Sequence, residues 1–418
     1  MLTTALEGPD HFINIIDHDM RSSGLPGNVV QLHLHLTAPP DRERLEKRLL
    51  QWGTTDPSCK AAFINRWGVP TWTLKDQATP PPLHWHTDVS VQECLDRRVH
   101  ASMTTATPPL MTLDIVENTD STVAALTWHH LLADAHGGEC MLARLAGSTV
   151  GEGQPWRDLS CEPFISRLKA ARELLPVFDR IRQGGVASVP ADNNNSRLRS
   201  SYLTMDTAES SALAAKARDI HPLIGETALC LAGALRLTHE LCVRSGEQRS
   251  GYLIPMPVSL RASGSHTPIL GNPLSFVFIY ASAAQLEDST VTDLARFVAD
   301  EFVDALKNGY IEACSSQLGL FGYIPAWLSS RILRSQMQGP IASCFFAHTG
   351  RTVFDTAPDF DFFGAAVHHV FHRPMVSRAP GLGFFICRHG QRVHVTACTT
   401  NGSASPLPRQ LLTHILTS

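Results

Sequence analysis

The segment His129-His130-Leu131-Leu132-Ala133-Asp134 holds the residues of this chain whose types and spacing best suit chemistry. Two adjacent histidines at the end of a strand point in different directions, so one can face a cavity while its neighbour packs or hydrogen-bonds behind it. A neutral imidazole titrating near physiological pH suits removal of a proton from an alcohol or amine as that atom attacks a carbonyl. Asp134, four residues after His130, can brace the loop without touching the imidazole, by pairing with a distant arginine. Two other readings of the same residues stand beside this one. The histidines can be a buried, hydrogen-bonded pair with an ordinary loop aspartate. Alternatively His129, His130, Asp134 and His136, with the second cluster His368, His369 and His372, can be the ligands of a metal-dependent hydrolase. Against the metal reading, neither H-E-x-x-H nor H-x-H-x-D-H occurs.

The elements around the segment are legible from periodicity. Val30 to Leu36 alternates, with Val30, Leu32, Leu34 and Leu36 on one face and Gln31, His33 and His35 on the other, which is the pattern of a strand whose histidines face solvent or a second layer. Asp41 caps a helix to about Trp52. Leu110 to Val116 and Thr122 to Trp128 form a hairpin that turns at Glu117-Asn118-Thr119-Asp120-Ser121 and runs into His129-His130; a helix follows through Cys140, Met141 and Leu145. The stretch Gln183 to Ser200, with Gly184-Gly185, Pro190 and Asp192-Asn193-Asn194-Asn195, interrupts every apolar period. The division is therefore 1–183, a linker at 184–200, and 201–418. In the second part helices are predicted at 208–220, 226–243, 291–306 and 408–416, and strands at 252–258, 274–280, 343–348, 383–387 and 392–398. Hairpins and helices in both parts imply α/β layers rather than one doubly wound sheet.

Bulk properties narrow the function. A chain of 418 residues with 43% hydrophobic content fills two cores. A net charge of -4 and the absence of Lys/Arg runs argue against nucleic acid. Met1 to Asp19 lacks a basic start and an apolar block, and no stretch is apolar enough to span a bilayer. The ten cysteines, Cys161 among them, form no C-x-x-C pair, so neither a zinc ribbon nor a disulfide framework is expected and a reducing cytoplasm fits. No G-x-S-x-G elbow, G-x-G-x-x-G or phosphate-binding loop is found, which disfavours serine hydrolases and dinucleotide enzymes.

The central segment resembles the His-His-x-x-x-Asp-Gly signature of the condensation-domain and thioester-dependent acyltransferase superfamily, with Ala135 where the signature has glycine. Pro257-Val258-Ser259-Leu260-Arg261 and Leu270-Gly271-Asn272 are similar to motifs of wax ester synthase and diacylglycerol acyltransferase relatives; Asp359-Phe360-Asp361-Phe362-Phe363-Gly364 matches the plant acyltransferase motif poorly and is read as structural. The resemblance implies the chloramphenicol-acetyltransferase fold, two similar subdomains in a V around a central tunnel. It implies His130 as general base, His129 in support, Asp134 as a structural residue with Arg261 as its ion-pair candidate, and Trp128, Gly137, Gly138 and Asn272 as tunnel candidates. The implied co-substrates are an acyl thioester on coenzyme A or a carrier protein and a small alcohol or amine acceptor, with no cofactor. A non-catalytic relative that recruits a carrier protein is the remaining alternative.

Overall fold

In the strand Thr122–His129 every residue is buried, so the sheet around it must be covered on both faces. Alternation divides its side chains: Ala124, Leu126 and Trp128 join the main core of the first half, while Val123 and Ala125 pack against Leu95 and Val91. His129 falls on the second of these faces. The computed structural model describes residues 3–6, 8–66, 69–119, 121–151, 156, 162–190, 197–356 and 360–417. Asp120 of the predicted hairpin turn, Cys161, Asp359 and the linker stretch 191–196 lie outside the described residues.

The strand is central in a six-stranded sheet ordered Asp361–Phe362, Ala365–Pro374, Val29–Leu36, Thr122–His129, Met111–Glu117 and Leu83–Thr87. Its first two strands come from the far end of the chain. Ala365–Pro374 runs antiparallel to Val29–Leu36 and sets Phe371 opposite His33 and Arg373 opposite Gln31. The buried Arg373 reaches Gln31 Oε1 at 3.2 Å and also pairs with Asp96. The second half of the chain is thus stitched into the sheet of the first by backbone ladder and ion pair together.

One face of this sheet carries the helix Arg42–Thr55 through Leu45, Leu49 and Trp52, with Asp41 accepting from the Arg44 amide as its cap, and the helix Ala135–Leu145. The other face is also covered, which decides the environment of the strand histidines. His33 is buried, 3.2 Å from Gln31 Oε1 and edge-on to Tyr202, so it faces a second layer and not solvent.

The second half is built on a four-stranded sheet, Phe345–Arg351, Leu382–His389, Arg392–Thr399 and Arg199–Thr204, and a two-stranded ribbon, Gly251–Ser259 with Leu274–Ser282. Helices Thr207–Ile220, Gly225–Arg244, Val291–Lys307 and Leu407–Thr417 contribute to the largest core cluster. Two of them start in capping boxes, Asp206 with Glu209 and Thr290 with Asp293, each satisfying two otherwise orphaned amides. Among the described residues no single helix is long and apolar enough to cross a membrane. The nine described cysteines are all free and buried.

At Gly137 a Cβ would stand 2.2 Å from the carbonyl oxygen of Ile269, a backbone atom of the second half. Gly137→Ala gains about 1 kcal/mol of helix propensity, but overpacking against backbone costs about 1–3 kcal/mol. The clash should win. We expect a lower urea midpoint with unchanged m-value; an unchanged or higher midpoint would show that the two halves are not in contact at this point.

Candidate active site

The strand Thr122–His129 delivers its two terminal histidines to different places. The backbone is pinned first: the His129 amide donates to the Leu110 carbonyl at 3.0 Å and the His130 amide to the Asn28 carbonyl at 2.9 Å. His129 is fully buried. Its Nδ1 accepts from the Leu131 amide at 3.3 Å, which places the ring proton on Nε2, and Nε2 stands 3.0 Å from Asp17 Oδ1. His130 lies beyond the last ladder pair and lines a cavity between the two halves. Its Nδ1 is buried with no hydrogen-bond partner in strict geometry, and the Asn272 side chain stands near enough to the ring to act on it.

Burial holds the His130 imidazole below its ordinary pKa, against the opposing pull of its own carbonyl oxygen, the Asp134 charge and the Asn272 side chain. An imidazole biased toward its neutral form is the consequence. Its carbonyl oxygen is in turn held: Asn272 Nδ2 donates to it at 3.1 Å and to Asp10 Oδ1 at 2.9 Å, while the Asn272 amide also donates to Asp10 Oδ1 at 2.9 Å.

Asp134 faces away from the imidazole. Its carboxylate caps the helix Ala135–Leu145 by accepting from the Gly137 amide at 2.8 Å, and it receives both Nη1 and Nη2 of Arg261 at 2.6 and 2.8 Å. Arg261 also donates from Nε to the Pro268 carbonyl at 3.0 Å. Burial alone would raise the Asp134 pKa, yet the Arg261 charge and hydrogen bonds hold it below the usual carboxylate value. The surrounding backbone joins the halves as well. The Gly271 amide donates to Leu132 O at 2.9 Å and the Asp134 amide to Gly271 O at 3.3 Å, and Gly271 takes φ +77°, a conformation that suits glycine. Ala135, in place of the signature glycine, begins the helix and lines the cavity without a positive φ.

The four residues predicted along a tunnel do not line this cavity. Trp128, Gly137, Gly138 and Asn272 are buried behind the turn, outside the cavity wall. Trp128 donates from its indole to the Ala133 carbonyl at 2.9 Å, and Gly138 leaves the room its ring needs. Their task is to hold the turn. The cavity, about 470 Å³, is walled instead by Phe12, Ile16 and Met20 of the N-terminal helix and by Phe276, Phe345 and Phe385 of the second half.

The N-terminal helix Gly8–Ser22 also supplies residues that brace the site and that the sequence reading missed. Asp10 and Asp17 lie seven apart, two turns on one face, both buried beside Ile13 and Met20. Charged residues on an apolar helical face were the available signal. Although burial opposes it, His129, Arg21 Nε at 2.8 Å and the Asn28 amide at 2.7 Å hold Asp17 well below the usual carboxylate range.

The described residues do not gather His129, His130, Asp134 and His136 around one point. His129 is engaged with Asp17, Asp134 with Arg261, and His372 with Glu139 at 2.7 Å; His368 and His369 stack on each other along the strand Ala365–Pro374.

No protein-family model matches this chain, and no curated protein is similar to it in sequence. Solved structures are similar over its whole length. The first condensation domain of the calcium-dependent antibiotic synthetase, in complex with a substrate analogue, superposes with TM-score 0.68 at 12% identity, covering 99% of this chain and 96% of that one. The fold is that of the condensation domains. The starter condensation domain of rhizomide synthetase, a mutant in complex with C8-CoA and Leu-SNAC, gives TM-score 0.63 at 13% identity over 99% and 93% of the two chains. Polyketide synthase associated protein 5 from Mycobacterium tuberculosis gives 0.63 at 15% identity over 96% and 97%. In the condensation-domain fold two chloramphenicol-acetyltransferase-like subdomains meet, and here the His130 turn and the Gly271 loop lie at that meeting.

Arg261→Ala leaves the buried Asp134 carboxylate uncompensated, a change that costs about 3–5 kcal/mol for a buried pair. Because the folded-state pKa of Asp134 is depressed, the pair's contribution is present above the unfolded value near 4 and is lost as pH falls through the folded one. Chemical unfolding of wild type and variant should therefore differ most at neutral pH and converge in acid. An equal difference at every pH would contradict the assignment.

Proposed function

We propose that this protein is an acyltransferase that moves an acyl group from a thioester to an alcohol or amine, with His130 as general base. One observation carries the reading: the His130 imidazole, its pKa lowered by burial, stands in the wall of an apolar cavity shared by both halves. The acceptor O–H or N–H gives its proton to Nε2 as the oxygen or nitrogen attacks the thioester carbonyl. The tetrahedral intermediate collapses with loss of the thiolate, which takes the proton back from the imidazolium. An ester or amide and a free thiol result, with no acyl-enzyme. Buried cysteines support direct attack, since burial pushes the Cys140 and Cys344 thiols up to about 12 and leaves them without thiolate character at neutral pH.

The roles of the neighbours follow from their contacts. His129, held by Asp17, and Asn272, held by Asp10, fix the backbone from which His130 projects; Asp134 and Arg261 fix the turn to the second half. The apolar wall suits an acyl chain, and the mutant rhizomide domain of the same fold was solved with C8-CoA. The donor proposed here is accordingly coenzyme A or a phosphopantetheinyl carrier, the reaction needs no cofactor, and its place is natural-product or lipid biosynthesis in the cytoplasm.

Substitution of His130 by Ala tests the reading. Thioester consumption across a panel of alcohol and amine acceptors should fall by about 10²- to 10⁴-fold, with the folded state retained. Equal turnover by wild type and variant would refute the base assignment.

A further inference from the structure

One cluster of donor atoms takes no part in the chemistry above. His136 and Cys140 lie four apart on the helix Ala135–Leu145, so both emerge from one face. His266, in the loop that follows Arg261, brings Nδ1 to 3.1 Å from His136 Nε2, with the two rings 11° from parallel. Cys140 Sγ completes the group: the three ligand atoms lie within 4.8 Å of one another, and the sulfur is 3.8 Å from the His266 carbonyl oxygen.

We propose that His136, Cys140 and His266 form a binding site for a thiophilic divalent cation of zinc's class, which clips the loop after Arg261 to the helix that begins at the catalytic turn. The separation of the two ring nitrogens is close to that around a bound ion, which would replace the hydrogen bond between them. Two imidazole nitrogens on tetrahedral zinc stand roughly 3.3 Å apart, given bonds of about 2.0–2.1 Å, so the observed 3.1 Å needs only a small adjustment. The donor set is selective: imidazole and thiolate suit zinc, whereas magnesium and calcium require oxygen. Binding exchanges the Cys140 thiol proton, which leaves to solvent, for the metal–sulfur bond. The fourth tetrahedral position falls to water.

The other three-residue group among the described residues shows what disqualifies a cluster. In His86, Cys94 and Asp114 the carboxylate is already held by Arg98 at 2.8 and 2.9 Å and by His86 at 3.0 Å, so a cation would have to displace an arginine. Arg261, whose charge bears on His136, is matched by Asp134 through two hydrogen bonds. The His136 and His266 rings stack with centroids 5.2 Å apart.

The test uses the full chain, stripped with chelator and titrated with Co²⁺ alone. We expect one equivalent to bind with a sulfur-to-cobalt charge-transfer band in the near ultraviolet, and Zn²⁺ to displace it. Cys140→Ser should remove the band, His266→Ala should weaken binding at least tenfold, and His86→Ala should change neither. Cys140 is buried, so its variant can fail to fold; His266 sits on a half-buried loop, and its variant then decides the matter. Absence of stoichiometric uptake, or binding by His266→Ala equal to wild type, would overturn the proposal. The site does not rest on the role of His130, so either reading can fail without the other.

Discussion

The turn from His130 to Asp134 keeps its shape because the second half of the chain grips it. Arg261 closes a two-point ion pair on Asp134, and the Gly271 backbone exchanges hydrogen bonds with Leu132 and Asp134. A buried ion pair of this kind adds little net stability, since desolvation offsets much of the attraction. What it fixes is register. With the guanidinium also tied to the Pro268 carbonyl, the turn has one position relative to the second half, and the cavity beside His130 has a defined wall.

A second network works from the opposite side. Asp17 gathers hydrogen bonds from His129, Arg21 and the Asn28 amide, and Asn28 in turn accepts the His130 amide through its carbonyl oxygen. Asp10 does the same through Asn272. Two buried carboxylates on one helix therefore set the backbone of the histidine pair, while neither touches the His130 ring. The division of labour explains an imidazole held toward its neutral form by burial in a site that contains several charges: each carboxylate is satisfied elsewhere.

Much of this was legible in the residues. The hairpin ending in His129-His130, the cap at Asp41 and the buried helix near 226–243 follow from period and turn chemistry, because those signals are local. The pairing of Ala365–Pro374 with Val29–Leu36 was not legible; strands more than three hundred residues apart leave no local trace of their partnership. The N-terminal helix was missed because Pro9 and its acids obscure the apolar stripe, although Asp10 and Asp17 on that stripe were the clue to their function. Trp128, Gly137, Gly138 and Asn272, expected along a tunnel, are buried beside the turn and do not line the cavity. A small or aromatic residue beside a motif can serve to pack the motif as readily as to line a tunnel, and only distances such as that from Gly137 to Ile269 tell the two apart.

The account stands on one proton acceptor, and the pH dependence of kcat/KM addresses it most directly. With a saturable acceptor and an acyl thioester, the acid limb should follow a single protonation with a midpoint below 6.5, the ordinary histidine value from which burial displaces His130. A profile that is flat through this range, or one whose acid limb lies above the ordinary histidine value, would contradict a desolvated imidazole as the base.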